Sequence, residues 1–422
     1  MKEKGELKIK FKTAVAIILL LTIIILISVY FVISENNKKI SNTNSVINNQ
    51  SNEEKTQNED FSMEFLKLEN NNQNIIYSPL SIKYALKMLE EGASGNTKTQ
   101  IENVLQNQNL TKYENIDDIL SLANGMYIRN TYAKNVKEDY KELLKNRYNA
   151  EINYDPFQNA QNINKWIEDK TLGIIKNMLS DDVVSNPATK MLLINALAID
   201  MEWEEKFDDV NKREFYKEDG TAMEAPIMSM TAHNDNISYY KDEKITSITM
   251  DLKKYNDTQL EFIAIMPEEN LSNYIEKFSL EELNNILEKS KTASKERNGV
   301  DISIPRFSTE YDLDLKQDLI KLGITDAFDI SKANFSNISE DLYVNDALHK
   351  ADIEFTEEGI KAAAVTVISM DIGSVIQEEP VKIDINKPFL YIIKDKNTNE
   401  IWFVGALYEP ESWEEYSNTL EN

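Results

Sequence analysis

The sequence predicts a mixed α+β fold, with helices early in the chain and strands mainly later. Apolar residues recur at helical spacing in several segments of the first half, whereas short apolar or alternating runs dominate the second half. A turn-rich stretch, residues 395–400, separates the last two of these runs and indicates an antiparallel hairpin. Helices packed on a mostly antiparallel sheet are therefore expected.

Four helices and six strands follow from these patterns. The second helix begins at a serine, a favoured N-cap residue. The fourth opens at Asp312 and ends before Gly323, a residue type typical of the position after a helix. The helices cover residues 61–68, 81–89, 162–178 and 312–322, and the strands cover residues 191–199, 259–266, 351–356, 381–385, 389–394 and 401–407.

The composition excludes much chemistry. The 422 residues include 2 histidines and no cysteine, which rules out thiolate nucleophiles, zinc–thiolate sites, iron–sulfur clusters and disulfides. The chain has 72 Asp and Glu against 46 Lys and Arg, and its net charge of -26 argues against nucleic acid as a partner. The acidity belongs to residues 61–422, because residues 1–60 hold 8 basic and 7 acidic side chains.

Five parts of the chain are predicted. Residues 1–12 are basic and are expected to stay in the cytoplasm, and the uncharged run 13–34 is long enough to cross a bilayer as a signal-anchor. Residues 35–60 form a polar linker, 61–411 a single folded domain and 412–422 a C-terminal tail. The domain is thus expected at the cell surface, held in the membrane by the N-terminal helix. A cleaved signal peptide and secretion are the alternative.

No established catalytic motif is present. The sequence has no G-x-S-x-G elbow, P-loop or dinucleotide-binding fingerprint. A Ser-His-Asp triad would need His233 or His349, and neither lies in a recognisable signature. Glu357 and Glu358 are adjacent, and neighbouring residues of a strand point to opposite faces, so they cannot act on one substrate atom. Neither an enzyme nor a cofactor is therefore predicted.

Residues 351–380 contain a stretch that fits either a soluble linker, though with one charge in residues 360–368, or a latent strand. Residues 351–355 alternate as a strand until Glu357, Glu358 and Gly359 interrupt the pattern. From Ile360 to Ile368 every second residue is apolar, small or threonine, and no proline or glycine occurs in positions 360–372. An exposed run of this kind is normally an aggregation hazard, so a protein that keeps one is expected to use it.

Four motifs, in the correct order over more than 330 residues, resemble those of the serpin family. The first, residues 74–82, is similar to the motif that precedes the helix under the opening of the main sheet. The others are Ile194-Asn195-Ala196 followed by Trp203 and Phe207, residues 344–351 followed by Glu357-Glu358-Gly359 and the alanine-rich run, and residues 387–393 with 403–410.

The resemblance implies helices packed around three mostly antiparallel β-sheets, with an exposed reactive loop. It also implies a suicide inhibitor of serine, or else cysteine, proteases. The protease attacks the loop and forms an acyl-enzyme. The cleaved loop then inserts into the main sheet and distorts the active site of the protease, which stays trapped in a covalent complex. Adding a strand of about ten residues, at roughly 0.5–1.5 kcal/mol per backbone hydrogen bond, could release on the order of 10 kcal/mol. A monomer is expected.

Three sites carry over from the family by resemblance. The shutter, a polar cluster that holds the sheet closed, corresponds to Ser78, Ser81, Asn195 and His349. The breach, where insertion begins, corresponds to Trp203, with Arg306 expected to pair with Glu357. The hinge of the loop corresponds to Glu357, Glu358, Gly359, Ile360, Lys361, Ala362, Ala363, Ala364, Val365 and Thr366.

The hinge departs from the family at Ile360, where Thr, Ser or Val is usual, and at Lys361, which replaces a glutamate. Neither departure puts a proline or a charge on the inward face, so inhibition remains the prediction. A non-inhibitory binding or surface protein on the same scaffold is the alternative. Before the breach tryptophan, Met201-Glu202 stands where Gly-Lys is common.

The scissile bond, counted from Glu357 as in the family, lies between Gly373 and Ser374. Residues 369–376 contain no Lys or Arg, so trypsin-like targets are not expected. Alternative positions are Ile372, Met370 and Asp371. The first two would suit a protease with an apolar or small-residue pocket, and the third an Asp-specific enzyme.

Overall fold

The computed structural model describes residues 60–106, 108–360 and 379–420. The helices in these ranges are α1 (Phe61–Leu68), α2 (Pro79–Gly92), α3 (Gly95–Val104), α4 (Glu138–Tyr148), α5 (Gln161–Lys170), α6 (Asp181–Ser185), α7 (Leu271–Ile275), α8 (Leu280–Lys289), α9 (Leu315–Lys321) and α10 (Trp413–Leu420). The strands are β1 (Ile75–Tyr77), β2 (Leu120–Arg129), β3 (Glu151–Asp155), β4 (Met191–Ile199), β5 (Met201–Glu202), β6 (Asp209–Tyr216), β7 (Ala222–Ala232), β8 (Ile237–Lys241), β9 (Ile245–Asp251), β10 (Leu260–Pro267), β11 (Lys291–Thr292), β12 (Val300–Pro305), β13 (Phe307–Asp314), β14 (Leu348–Phe355), β15 (Gly359–Ile360), β16 (Val381–Asp384), β17 (Phe389–Asp395) and β18 (Ile401–Leu407).

These strands form four hydrogen-bonded groups, which are mostly antiparallel. The largest has the order β1-β18-β17-β10-β9-β8-β11, and the second has the order β16-β12-β7-β6. The other two have the orders β13-β14-β15-β5 and β3-β2-β4. The resemblance implied three sheets in total. Only Asp200 separates β4 from β5, so the last two groups are continuous through the chain. The mixed α+β class is confirmed, and the β17–β18 hairpin is antiparallel as predicted.

Three predicted elements differ from the structure. The helix predicted over 162–178 ends at Lys170, because Leu172 and Gly173 have positive φ angles of 56° and 73°, which a right-handed helix cannot include. The helix predicted from Asp312 begins three residues later, since residues 307–314 pair with β14 as strand β13. The predicted C-terminal tail contains the helix α10.

The core lies against the largest sheet. Every residue of β10, β17 and β18 is buried. Aromatic rings join this sheet to β13 and β14: the ring centroids of Phe262 and Phe355 lie 4.5 Å apart, and those of Phe307 and Phe355 lie 4.9 Å apart. Tyr391 of β17 packs on Phe307 at 5.2 Å. Aromatic packing therefore holds the C-terminal end of β14, here called its upper end, against the core.

The predicted cell-surface location needs correction. Among residues 60–106, 108–360 and 379–420, no helix is both long and apolar enough to cross a membrane. The predicted signal-anchor, residues 13–34, and all but the last residue of the predicted linker 35–60 lie outside the described residues.

Candidate functional site

A tight turn joins β14 to β15, and Thr356 organises it. The backbone N–H of Thr356 donates to the carbonyl oxygen of Gly359 at 2.9 Å, and its hydroxyl donates to the same oxygen at 3.0 Å. The N–H groups of Glu358 and Gly359 each donate to the hydroxyl oxygen of Thr356 at 3.3 Å. This network reverses the chain so that Gly359 and Ile360 run antiparallel to β14.

The hinge residues Gly359 and Ile360 form a short strand between β14 and β5. Ile360 pairs with Phe355 on one side and with Met201 on the other. Its side chain is buried, with 1% of the residue exposed. Of the hinge residues, Gly359 and Ile360 therefore already belong to the sheet as a short strand.

Gly359 occupies a position where no side chain fits. A Cβ atom there would lie 2.2 Å from the carbonyl oxygen of Met201 and 2.7 Å from the Cα of Glu202. Both are backbone atoms of β5, which cannot move aside as the end of a side chain could. The glycine is therefore required by the close approach of the hinge to β5.

Trp203 packs against the hinge turn and donates a hydrogen bond to it. It is fully buried, and its indole N–H donates to the carbonyl oxygen of Thr356 at 2.8 Å. Its ring contacts those of Phe355 and Phe207 at centroid distances of 5.0 and 6.4 Å. The backbone N–H groups of Trp203 and Phe207 donate to the carbonyls of Glu358 and Glu357. The predicted breach residue therefore lies in direct contact with the hinge.

Four side chains of alternating charge lie beside the hinge turn, in the order Glu358, Lys206, Glu202 and Lys253. Lys206 forms ion pairs with Glu358 and, at 3.3 Å, with Glu202, which also pairs with Lys253. The hydrogen bond that Lys206 donates to Glu358 raises the pKa of Lys206, and the hydrogen bond that Glu202 accepts from Lys253 lowers the pKa of Glu202. The Met201-Glu202 pair thus has a role in this chain, because its backbone is the strand partner of Gly359 and Ile360, and Glu202 shares Lys206 with Glu358.

Arg306 gathers three carboxylates at the top of β14. Its Nη2 lies 2.8 Å from Oε1 of Glu354, and its Nη1 lies 2.5 Å from Oε1 of Glu411. The predicted partner, Glu357, is the most distant of the three, with 3.7 Å between its Oε2 and the Nε of Arg306. Oε2 of Glu357 is buried and has no hydrogen-bond partner within the described residues. The expected ion pair is present but loose.

The four predicted shutter residues lie together between α2, β4 and β14. The hydroxyl of Ser78 caps α2 by accepting from the N–H of Ser81 at 3.1 Å. The N–H of Ser78 donates to Nε2 of His349 at 3.0 Å, and the hydroxyl of Ser81 donates to the carbonyl of Asn195 at 3.5 Å. The side-chain amide of Asn195 donates to Oδ1 of Asn124 in β2 at 2.7 Å. One helix N-terminus therefore connects both strands.

His349 is held neutral in this cluster. Its side chain is buried, and desolvation lowers its pKa to about 4. As a neutral imidazole it can accept the proton of the Ser78 N–H, which a protonated ring could not do. The carboxamide oxygen of Asn195 is buried without a hydrogen-bond partner among the described residues. One buried hydrogen-bond acceptor of the shutter therefore has no donor among the described residues.

No backbone hydrogen bond joins β4 to β14 within the described ranges. A cleft of about 150 Å³ lies at the N-terminal ends of these two strands. Its lining includes Ile194 of β4, Leu348 of β14, and Ile82 and Leu86 of α2 below them. In the part of the chain that the structure describes, strand pairing connects β14 to β15 and β15 to β5, which continues β4 after Asp200.

Several predicted site residues lie outside the described residues. They belong to the lower hinge and the scissile region: Lys361, Ala362, Ala363, Ala364, Val365, Thr366, Met370, Asp371, Ile372, Gly373 and Ser374. The structure instead adds residues that sequence reasoning missed. Asn124 is a single amide in the apolar strand β2, and Thr356 precedes the predicted turn, so both left a weak signal. Glu411 left none, because its partner is 105 residues away.

The site therefore combines a short strand, β15, held between β5 and β14, with a buried polar cluster that connects α2 to β4 and β14. The chain belongs to the serpin family: the family profile described as "Serpin (serine protease inhibitor)" matches residues 56–410.

Relatives support this assignment along most of the chain. An uncharacterized serpin-like protein of Methanosarcina mazei is 32% identical, covering 80% of this chain and 82% of its own length. Neuroserpin of Mus musculus is 29% identical, covering 81% and 87%. The crystal structure of a thermophilic serpin, tengpin, in the native state has a TM-score of 0.70 and 28% identity, covering 85% of this chain and 95% of that one. The predicted serpin fold is confirmed.

Proposed function

We propose that this protein is a suicide inhibitor of serine proteases that works by inserting its cleaved loop into the main sheet. The observation that carries the proposal is the strand β15. Its two residues are already hydrogen-bonded between β5 and β14, and the sequence that follows them continues the same apolar alternation. The lack of pairing between β4 and β14 in the described residues is consistent with a sheet that accepts more of this strand.

In the proposed reaction the hydroxyl oxygen of the protease's catalytic serine adds to the carbonyl carbon of the scissile peptide bond. The C–N bond breaks, the new amino terminus takes up the proton and leaves, and an ester joins the protease to the loop. Insertion of residues after Ile360 then carries the esterified protease away from its starting position. Hydrolysis of the ester fails because the distorted protease no longer presents its catalytic groups.

The described residues would divide the work as follows. Gly359 and the turn at Thr356 start the new strand, and Trp203 fixes the turn. Ser78 and His349 connect α2 to β14, so they would rearrange when β14 shifts to admit the strand. Glu357, the hinge carboxylate, keeps a weak hold on Arg306. We propose the scissile bond at Gly373-Ser374 and a target with an apolar or small-residue pocket.

The test is to incubate the purified protein with a panel of serine proteases and to analyse the products on denaturing gels. The expected result is a covalent complex that resists SDS with an elastase-like or subtilisin-like enzyme, and none with trypsin. Mass spectrometry of the released C-terminal peptide would locate the scissile bond. Cleavage with every protease and a complex with none would refute inhibition and favour a non-inhibitory serpin.

A further inference from the structure

The helix α10 and Glu411, which precedes it, lie outside the part of the chain that matches the family, since the match ends at residue 410. Two side chains of this C-terminal segment contact Arg306. Glu411, two residues before the helix, forms the shortest of the three ion pairs of this guanidinium. The ring of Tyr416 lies against the guanidinium, with 5.4 Å between its centroid and the Cζ of Arg306.

These contacts are built from ordered, buried groups. The side chain of Arg306 is 10% exposed and that of Glu411 17%. Tyr416 is buried, and burial raises the pKa of both Tyr416 and Glu411. The helix is capped at its start, where the N–H and hydroxyl of Ser412 donate to Oε2 of Glu415 at 2.8 Å, and it packs on β7. A desolvated cation between an acid and an aromatic ring gains more than one at the surface.

The three carboxylates around Arg306 belong to three different parts of the fold. Glu354 lies in β14, Glu357 lies in the hinge turn, and Glu411 precedes α10, which packs on β7 of a separate sheet. Because Glu411 and Glu354 occupy the two Nη atoms, Glu357 is left at 3.7 Å without a hydrogen bond. Arg306 thus links the upper end of β14 to the C-terminal segment more tightly than it holds the hinge.

We propose that residues 411–420 act as a clamp on the site of loop insertion, with Glu411 and Tyr416 as positioning residues that act through Arg306. Through its bond to Glu354, the guanidinium ties the upper end of β14 to a helix seated on another sheet. The clamp opposes the sideways movement of β14 that admits the loop, and so sets how readily the hinge moves. The consequence for inhibition rests on the proposed function, but the clamp itself is a property of the free protein.

The experiment measures hydrogen exchange in the full-length protein by mass spectrometry, without protease. Glu411→Gln keeps the shape of the side chain and removes its charge, and Tyr416→Leu removes the aromatic ring. Glu414→Gln is the matched control, because Glu414 is an exposed glutamate of the same helix. Exchange is compared in peptides covering residues 201–207 and 355–360, whose backbones bond to each other, and in the core peptide 401–407.

Glu411→Gln is expected to speed exchange in the two hinge peptides about tenfold, since a charge-assisted hydrogen bond of this kind contributes about one factor of ten. Tyr416→Leu is expected to give about threefold, in keeping with a modest cation–π contribution. Exchange in 401–407 should match the control. Equal exchange in the hinge peptides of Glu411→Gln and Glu414→Gln would overturn the clamp, as would a uniform increase that includes 401–407. Failure of the protease gels would leave this result unchanged, so the two proposals fail separately.

Discussion

At the scale of single residues, His349 makes the stability of the protein depend on pH. An unfolded histidine binds a proton near pH 6.5, whereas burial lowers the pKa of His349 to about 4 in the folded protein. The unfolded state therefore binds more protons between these values. This contribution to stability is complete above pH 6.5 and is lost as the pH falls toward 4.

The variant His349→Gln isolates this effect, because glutamine can still accept from the N–H of Ser78 but does not titrate. Between pH 7.5 and pH 5 the unmodified protein is expected to lose about 2 kcal/mol more of its free energy of unfolding than the variant. Urea unfolding at the two pH values measures the difference. An identical pH dependence in both proteins would show that His349 does not control it.

Residue pairs show where sequence reasoning reached its limit. Ser78 and His349 are 271 positions apart, and only the resemblance to a family placed them in one cluster before the structure did. Asn124 escaped notice because an amide inside an apolar strand has no periodic signature. The link from Arg306 to Glu411 could not be found either, since charges far apart in sequence carry no information about which carboxylate a guanidinium selects.

At the scale of elements, the short strand β15 is the point where local pattern and tertiary structure agree. The parity of the sequence predicted that Ile360 faces inward, and the structure buries it between Met201 and Phe355. Other boundaries followed tertiary pairing instead of local spacing. The apolar spacing that begins at Leu315 predicted a helix from Asp312. Residues 312–314 instead belong to β13, because β14 provides their hydrogen-bond partners.

The variant Ile360→Arg tests whether this strand starts the insertion. A guanidinium at a buried position beside Phe355 would have to be desolvated without a partner, at a cost of several kcal/mol. On denaturing gels with a protease that the unmodified protein traps, the variant is expected to be cleaved with at least tenfold less complex. Ile360→Val is the control, because it keeps the apolar β-branched shape and costs about 1 kcal/mol. Undiminished complex formation by Ile360→Arg would contradict a role for β15 in insertion.

At the scale of the whole molecule, the seven-stranded sheet holds the most deeply buried strands, whereas β4 and β14 have no direct backbone pairing within the described residues. Stability is therefore expected to be unevenly distributed. The central strands β10, β17 and β18 are buried throughout. Under the proposed function, further free energy would come from the backbone groups that a longer inserted strand pairs, so the native state would be metastable.

Cleavage within residues 361–378 should release that free energy. A strand of about ten residues at roughly 0.5–1.5 kcal/mol per hydrogen bond adds on the order of 10 kcal/mol, which is as much as the stability of an ordinary domain. A non-target protease that cuts only this segment should therefore raise the thermal midpoint by more than about 10 °C, because each kcal/mol shifts the midpoint of a large domain by a degree or more. Differential scanning calorimetry before and after the cut measures the shift. The same cut in Ile360→Arg should give little or no gain, since the arginine prevents the strand from starting; a gain of equal size there, or none in the unmodified protein, would mean that the sheet does not take up the loop.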